Sequence, residues 1–280
     1  MSEAAEPQAA AKKKEAFQSA LKIEPLAESA FEPTKHATLI YNQAAGAVSN
    51  FDRYYVNSQR IIEQTGKPIA GADDLLRAML LFACSGLDAV VKQLVQDALE
   101  LILREDLGAQ NEFRKFVERR IKRGPADDVD RLSVGSSVLD SKLLAELMVS
   151  FDPRARLVGM LTRSLTSDSL QSRDQLLKVA AHFALSAPEV MDEPNVTKDA
   201  FDARNQIVHE MDVDLGSGNA RRPRDYGIMI KWCDNILNIS RRFIGAVEGK
   251  LPGAAHAEAE PFFPITGLEE NGDSNDGSES

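Results

Sequence analysis

Cysteine is nearly absent from this chain: Cys84 and Cys233 are the only two. Each lies inside an apolar helical pattern, so a disulfide framework is not expected and a reducing cytoplasm is the natural setting. Histidine is sparse as well. His36, His182, His209 and His256 are far apart, and none has a His or Cys partner at ligand spacing, so no metal site is expected. Glycine builds no phosphate cradle, because Gly216 and Gly218 open no strand–helix unit. Neither a metal nor an organic cofactor is therefore expected. The longest apolar stretch, Ala78 to Val95, is interrupted by Ser85, Asp88, Lys92 and Gln93, too polar to span a bilayer. The acidic start lacks a basic segment leading into an apolar run, which argues against a secretory signal. Aromatic residues make up only 6%, too few for a platform on which bases would stack.

The net charge of −10 argues against a nucleic-acid partner until its distribution is read. Residues 251–280 carry seven carboxylates and no Lys or Arg, so the charge over residues 1–250 is only −3. The body is close to neutral and has room for a basic site.

The 280 residues suffice for one large domain or two small ones. Residues 1–32, rich in Ala, Lys and Glu, read as a flexible arm. An apolar stripe from Ile40 to about Ile62 predicts a helix over 33–66 that packs on the core and ends at Gly66-Lys67-Pro68. The strongest helix follows Asp73 and Asp74, with Leu76, Leu80, Ala83, Leu87, Val91, Leu94, Ala98 and Leu101 recurring every three or four residues. Shorter helical patterns cover 113–121, 139–149, 153–161 and 174–185. A further helix after Pro194 and a last one from Tyr226 to about Val247 complete the set, and residues 249–280 read as a disordered acidic tail. No alternating run asks to be a strand. The expected fold class is all-α.

Chemistry concentrates in Phe201-Asp202-Ala203-Arg204-Asn205-Gln206-Ile207-Val208-His209-Glu210. The His209 imidazole can take up and release a proton, while Arg204 can hold charge that builds on phosphate oxygens. Asn205 adds an amide with both donor and acceptor, on the same helical face as His209. A helix-borne histidine also serves commonly as a plain surface or packed residue, so spacing alone does not decide.

The order of elements carries the rest. Arg204-Asn205-x-x-x-His209 sits in the penultimate core helix, the Leu-rich helix with Gly86-Leu87-Asp88-Ala89 lies upstream, and Ser164-Leu165-Thr166-Ser167-Asp168-Ser169-Leu170-Gln171-Ser172 runs between them. Over residues 73–248 this resembles a HEPN domain, most like the RiboL-PSP-HEPN branch. The resemblance implies an up-and-down α-helical bundle, with the 33–66 helix as an addition, that forms a homodimer and brings two Arg–His motifs to one cleft. It also implies a metal-independent endoribonuclease, acting as a toxin or in antiviral defence, with RNA as substrate and an antitoxin or other regulatory protein as partner. On that reading His209 is the general acid/base, Arg204 stabilises the phosphorane, and Asn205 orients the histidine or the phosphate. The products would be a 2′,3′-cyclic phosphate and a 5′-hydroxyl.

Asp88 either orients His209 or pairs with Arg204 from behind the motif, or it is a boundary residue beside the apolar stripe. Cys84 and Ser85 read as core packing, and Trp232 and Cys233 as core or dimer surface. Arg221, Arg222 and Arg224 form a basic run just after the motif helix that could contact an RNA backbone. Arg119, Arg120, Lys122 and Arg123 form another that could do the same, but which reads first as a solvated helix end or loop. The alternative function is a non-catalytic HEPN-like scaffold for dimerisation or partner binding, with Arg204, Asn205 and His209 as a structural cluster.

Overall fold

A computed structural model describes residues 18–122, 140–170, 172–214, 216 and 220–252. Most of the expected arm (1–17), Arg123, Gly218, His256 and the acidic tail from 253 onward lie outside the described residues. Within them the chain is all-α apart from one short strand pair. The helices are α1 (Glu32–Thr65), α2 (Ala72–Asp97), α3 (Leu99–Glu105), α4 (Leu107–Lys122) and α5 (Ser141–Met148). There follow α6 (Pro153–Thr166), α7 (Arg173–His182), α8 (Ala187–Val190), α9 (Pro194–Glu210) and α10 (Tyr226–Glu248). Between α9 and α10, β1 (Val213–Asp214) and β2 (Ala220–Arg221) pair antiparallel, Val213 opposite Arg221.

Local chemistry sets most boundaries. Pro33 lies in the first turn of α1, and Gly66 closes the helix in the left-handed conformation (φ 67°) with its N–H on Ile62 O at 2.8 Å. Asp140, Asp152, Ser172 and Asp225 each accept a backbone N–H at the start of α5, α6, α7 and α10. Gly71 (φ 80°), not an aspartate, takes the N-cap position of α2, and Asp73 and Asp74 occupy its first turn.

Helix α1 lies antiparallel to α2, since His36 at its start bonds Asp97 at the far end of α2 (3.0 Å). Helix α10 runs back along α1, with Tyr226 stacked on Tyr55 at one end and Glu248 accepting from Thr34 (2.7 Å) at the other. The α1–α2 approach is close at Gly86, where a β-carbon would overlap that of Ala44. Ala37, Tyr41, Val48, Leu80, Leu87 and Ile236 belong to one buried cluster, so α1 is part of the core. Helix α2 alone among the described residues is long and apolar enough to cross a membrane by composition. Here its stripe, Leu76, Leu80, Ala83, Leu87, Val91 and Leu94, is fully inside.

Three features depart from the sequence reading. The α2 helix stops at Asp97, where Ala98 breaks it before α3 resumes. Ser85 faces solvent while Cys84 is buried. Residues 18–31, read as arm, run without helix against the core. Leu21, Ile23, Leu26 and Phe31 pack on it, and Asn42 brackets Leu26 by accepting from its N–H (2.8 Å) and donating to its carbonyl (3.0 Å). Buried Asp52 accepts from Tyr226 (2.7 Å) and from Ser19, tying this strap to α1 and α10 together.

Candidate functional site

The motif helix α9 begins with Pro194 in its first turn and turns Thr197, Ala200, Ala203 and Ile207 into the core. Thr197 donates to Asn235 of α10 (2.8 Å), both side chains buried, and so fixes the helix axially. The helix stops because Met211 (φ 51°) and Asp212 (φ 60°) both turn left-handed, with the Asp212 N–H returning to Gln206 O at 3.0 Å. Two successive non-glycine residues in that region cost about 1–2 kcal/mol each, so something must hold them.

That anchor is the Asp212 carboxylate, which is fully buried. It accepts from Arg77 Nε of α2 (2.7 Å), from Arg224 Nε (3.0 Å) and from a second Arg224 nitrogen. Burial alone would raise its pKa; hydrogen bonds and charge from Arg224 and Arg77 outweigh this and hold it below the usual carboxylate range. Arg77 also donates to the Arg222 carbonyl (2.8 Å), and Arg224 to Gln206 Oε1 (3.0 Å), so the clamp joins α2, the end of α9 and the segment after β2.

Each of the three arginines expected to contact RNA is paired with a carboxylate of the protein itself. Arg224 leaves 9% of its side chain exposed and belongs to the clamp. Arg222 pairs with Glu210 (2.9 Å), and Arg221 pairs with Asp74. Only Arg221 and the edge of Arg222 face solvent, at 49% and 26%. Asp88 is likewise committed elsewhere: one oxygen takes Lys92 Nζ (2.9 Å), the other the Leu170 N–H (2.8 Å). It fastens the α6–α7 loop to α2 and makes no bond to Arg204 or His209.

Arg204 and Asn205 are brought together. Both are half-buried, and Arg204 Nη1 donates to Asn205 Oδ1 at 3.0 Å. Arg204 also lies near Cys84: burial pushes that thiol up to about 12, and the guanidinium opposes the rise. His209 is exposed, and five residues of helical rotation place it roughly 140° around the axis from Arg204. The structure brings the cation and amide together and leaves the imidazole exposed, flanked by exposed Val208 (43%) and Met211 (65%). Five clefts formed among the described residues are lined by other side chains than these three. A cleft of about 460 Å³ lies between the strap and α10, and another of about 480 Å³ beside Asp74, Arg77 and Arg221. Among the described residues no group of three or more His, Cys, Asp or Glu is placed to hold a metal ion.

Sequence reasoning missed Asp212. Its signal was present as an unmatched cation: Arg77 sits between Leu76 and Met79 on the buried face of α2, where an arginine demands a carboxylate. Comparison of the chain with protein-family models, with curated proteins and with solved structures finds no match.

Proposed function

We propose that the protein is a metal-independent endoribonuclease of the HEPN type, cleaving RNA as a homodimer. The observation that supports this best is the arrangement at the end of α9, where the joined Arg204–Asn205 pair and the exposed His209 share one clamped helix. Because the backbone positions of Arg204 and His209 lie roughly 140° apart around the helix, a working site takes Arg204 from one copy and His209 from the other across a twofold axis. Exposed Val208 and Met211 beside His209 supply apolar surface for that contact. The ribose 2′-hydroxyl loses its proton to an imidazole and attacks the adjacent phosphorus, the guanidinium stabilises the phosphorane, and the 5′-oxygen leaves with a proton. Such an activity in the cytoplasm calls for restraint, which a regulatory protein or antitoxin would provide, and suits a defence or toxin role.

The test is incubation of the purified chain with single-stranded RNA in EDTA, with end-group analysis of fragments. Cleavage giving 2′,3′-cyclic phosphate and 5′-hydroxyl ends is expected, abolished in Arg204→Ala and His209→Ala. Cleavage that persists in both variants, or that EDTA stops, overturns the reading. The internal pairing of Arg222 and Arg224 favours a second reading, a non-catalytic dimerisation scaffold, because it leaves little free positive charge beside the motif. A His209→Ala protein that melts well below wild type without ever cleaving RNA would favour that scaffold.

A further inference from the structure

The basic run at the end of α4 is not a simple solvated helix end. Arg119 and Arg120 line a pocket of about 200 Å³ together with Lys178 of α7 and Ser164 of α6, over a floor of Phe116, Leu161, Leu165 and His182. Among the described residues the lining holds three cations and no carboxylate. Among the described residues none of the three cations makes an ion pair with a carboxylate; Arg119 donates only to the Lys115 carbonyl (3.2 Å). The nearby acid, Glu112, is paired with Lys115 (2.6 Å).

His182 is the second, independent feature. It is 3% exposed, and its Nδ1 has no hydrogen-bond partner among the described residues. Buried polar atoms are almost always satisfied, and an exception marks a place for an ordered water, an ion or a ligand group. Burial holds the imidazole neutral, with its pKa pushed down to about 4, so the ring offers one N–H donor and one acceptor nitrogen. Three cations and a hydroxyl from three helices line the pocket beside the buried His182 ring. Charge placed in the last turn of α4 to offset its dipole would explain Arg119 and Arg120, but neither Lys178 nor the bare nitrogen of His182.

We propose that this pocket between α4, α6 and α7 binds a phosphate group, either free inorganic phosphate or the terminal phosphate of a small phosphomonoester. The volume equals roughly six or seven waters at about 30 Å³ each, below the range of drug-sized ligand pockets. It therefore admits the phosphate itself and leaves the remainder of a phosphomonoester in solvent. Arg119 and Arg120 supply forked donors, Lys178 a point charge, and Ser164 a hydroxyl. The pocket uses none of the α9 residues, so the assignment stands or falls apart from the nuclease reading.

Calorimetry and thermal melting of the full chain with inorganic phosphate, and separately with AMP, test it at constant ionic strength against chloride. Saturable binding is expected, with a melting temperature that rises with phosphate and not with chloride. Tighter binding of AMP than of phosphate would identify a phosphomonoester as the natural occupant; equal affinity would identify the free ion. Lys178→Ala and Arg120→Ala, both at exposed positions that leave the fold intact, should each weaken binding about tenfold. His182→Gln, which keeps a neutral donor, should retain binding, and His182→Phe should lose it. Absence of any saturable response to both probes, or binding unchanged in Lys178→Ala and Arg120→Ala, overturns the proposal.

Discussion

Replacing Asp212 by Asn tests the clamp that shapes the end of the motif helix. Asn tolerates the left-handed backbone (φ 60°) nearly as well as Asp, so the change removes charge with little added backbone strain. What remains is two guanidinium groups, each 9% exposed, facing a neutral amide. Removing one partner of a buried ion pair costs about 3–5 kcal/mol, and the retained amide oxygen places the expected loss near 3 kcal/mol. For a protein of this size that lowers the melting temperature by roughly 6–12 °C. Urea titration followed by circular dichroism reads the free energy directly. The pH dependence has a fixed sign. The folded carboxyl pKa lies below its unfolded value, so its stabilisation is complete above about pH 4 and is lost as pH falls through the folded value. The gap between wild type and Asp212→Asn should therefore narrow in acid. By contrast, Arg221→Ala breaks a half-exposed pair with Asp74 and should cost under about 1 kcal/mol. An Asp212→Asn protein within about 0.5 kcal/mol of wild type at neutral pH, the scatter of ordinary surface changes, would refute the clamp.

Gly86→Ala forces apart α1 and α2 at Ala44 and should destabilise by about 1–3 kcal/mol; the added change Ala44→Gly should recover part of the loss, and additive effects would mean that the helices do not meet there. Asn42→Ala removes both bonds to Leu26 and should raise the hydrogen-exchange rate of the Leu26 amide about tenfold or more. A Leu26 amide already unprotected in wild type would contradict the docked strap. Burial pushes Cys84 up to about 12 and Cys233 well above its usual range, so neither thiol should react with an aromatic disulfide reagent at pH 8 until the protein is unfolded; prompt labelling of the folded chain would contradict the packing of α2 against α10.

The helical frame was largely legible because its signals are local. Gly66 and Pro153 mark boundaries by backbone conformation, and the Leu76–Leu94 stripe needs only helical periodicity to announce a buried face. Long-range pairing was not legible. Arg77 and Asp212 are 135 residues apart, and nothing near either one names the other. The arginines after β2 were read as RNA contacts for the same reason: composition shows cations but not the carboxylates that the fold sets beside them. Asp88 had the right position in the helix and found a loop N–H instead of the motif. The strap was hidden by its composition, since Leu21, Ile23, Leu26 and Phe31 are too widely spaced among Ala, Lys and Glu to look like a core-facing segment. At the motif itself, sequence placed Arg204, Asn205 and His209 on one helix, and the structure adds that the first two touch while the third looks outward.

A mixing assay between two inactive variants tests the two-copy site most directly. Arg204→Ala and His209→Ala proteins, each expected to be unable to cleave RNA alone, are combined in equal amounts, allowed to exchange subunits, and assayed in EDTA. A site shared between copies leaves one intact arginine–histidine pair in every mixed dimer, so activity should return to roughly a quarter of wild type under random exchange. A mixture as silent as its components, with mixed dimers shown to form, would contradict the account.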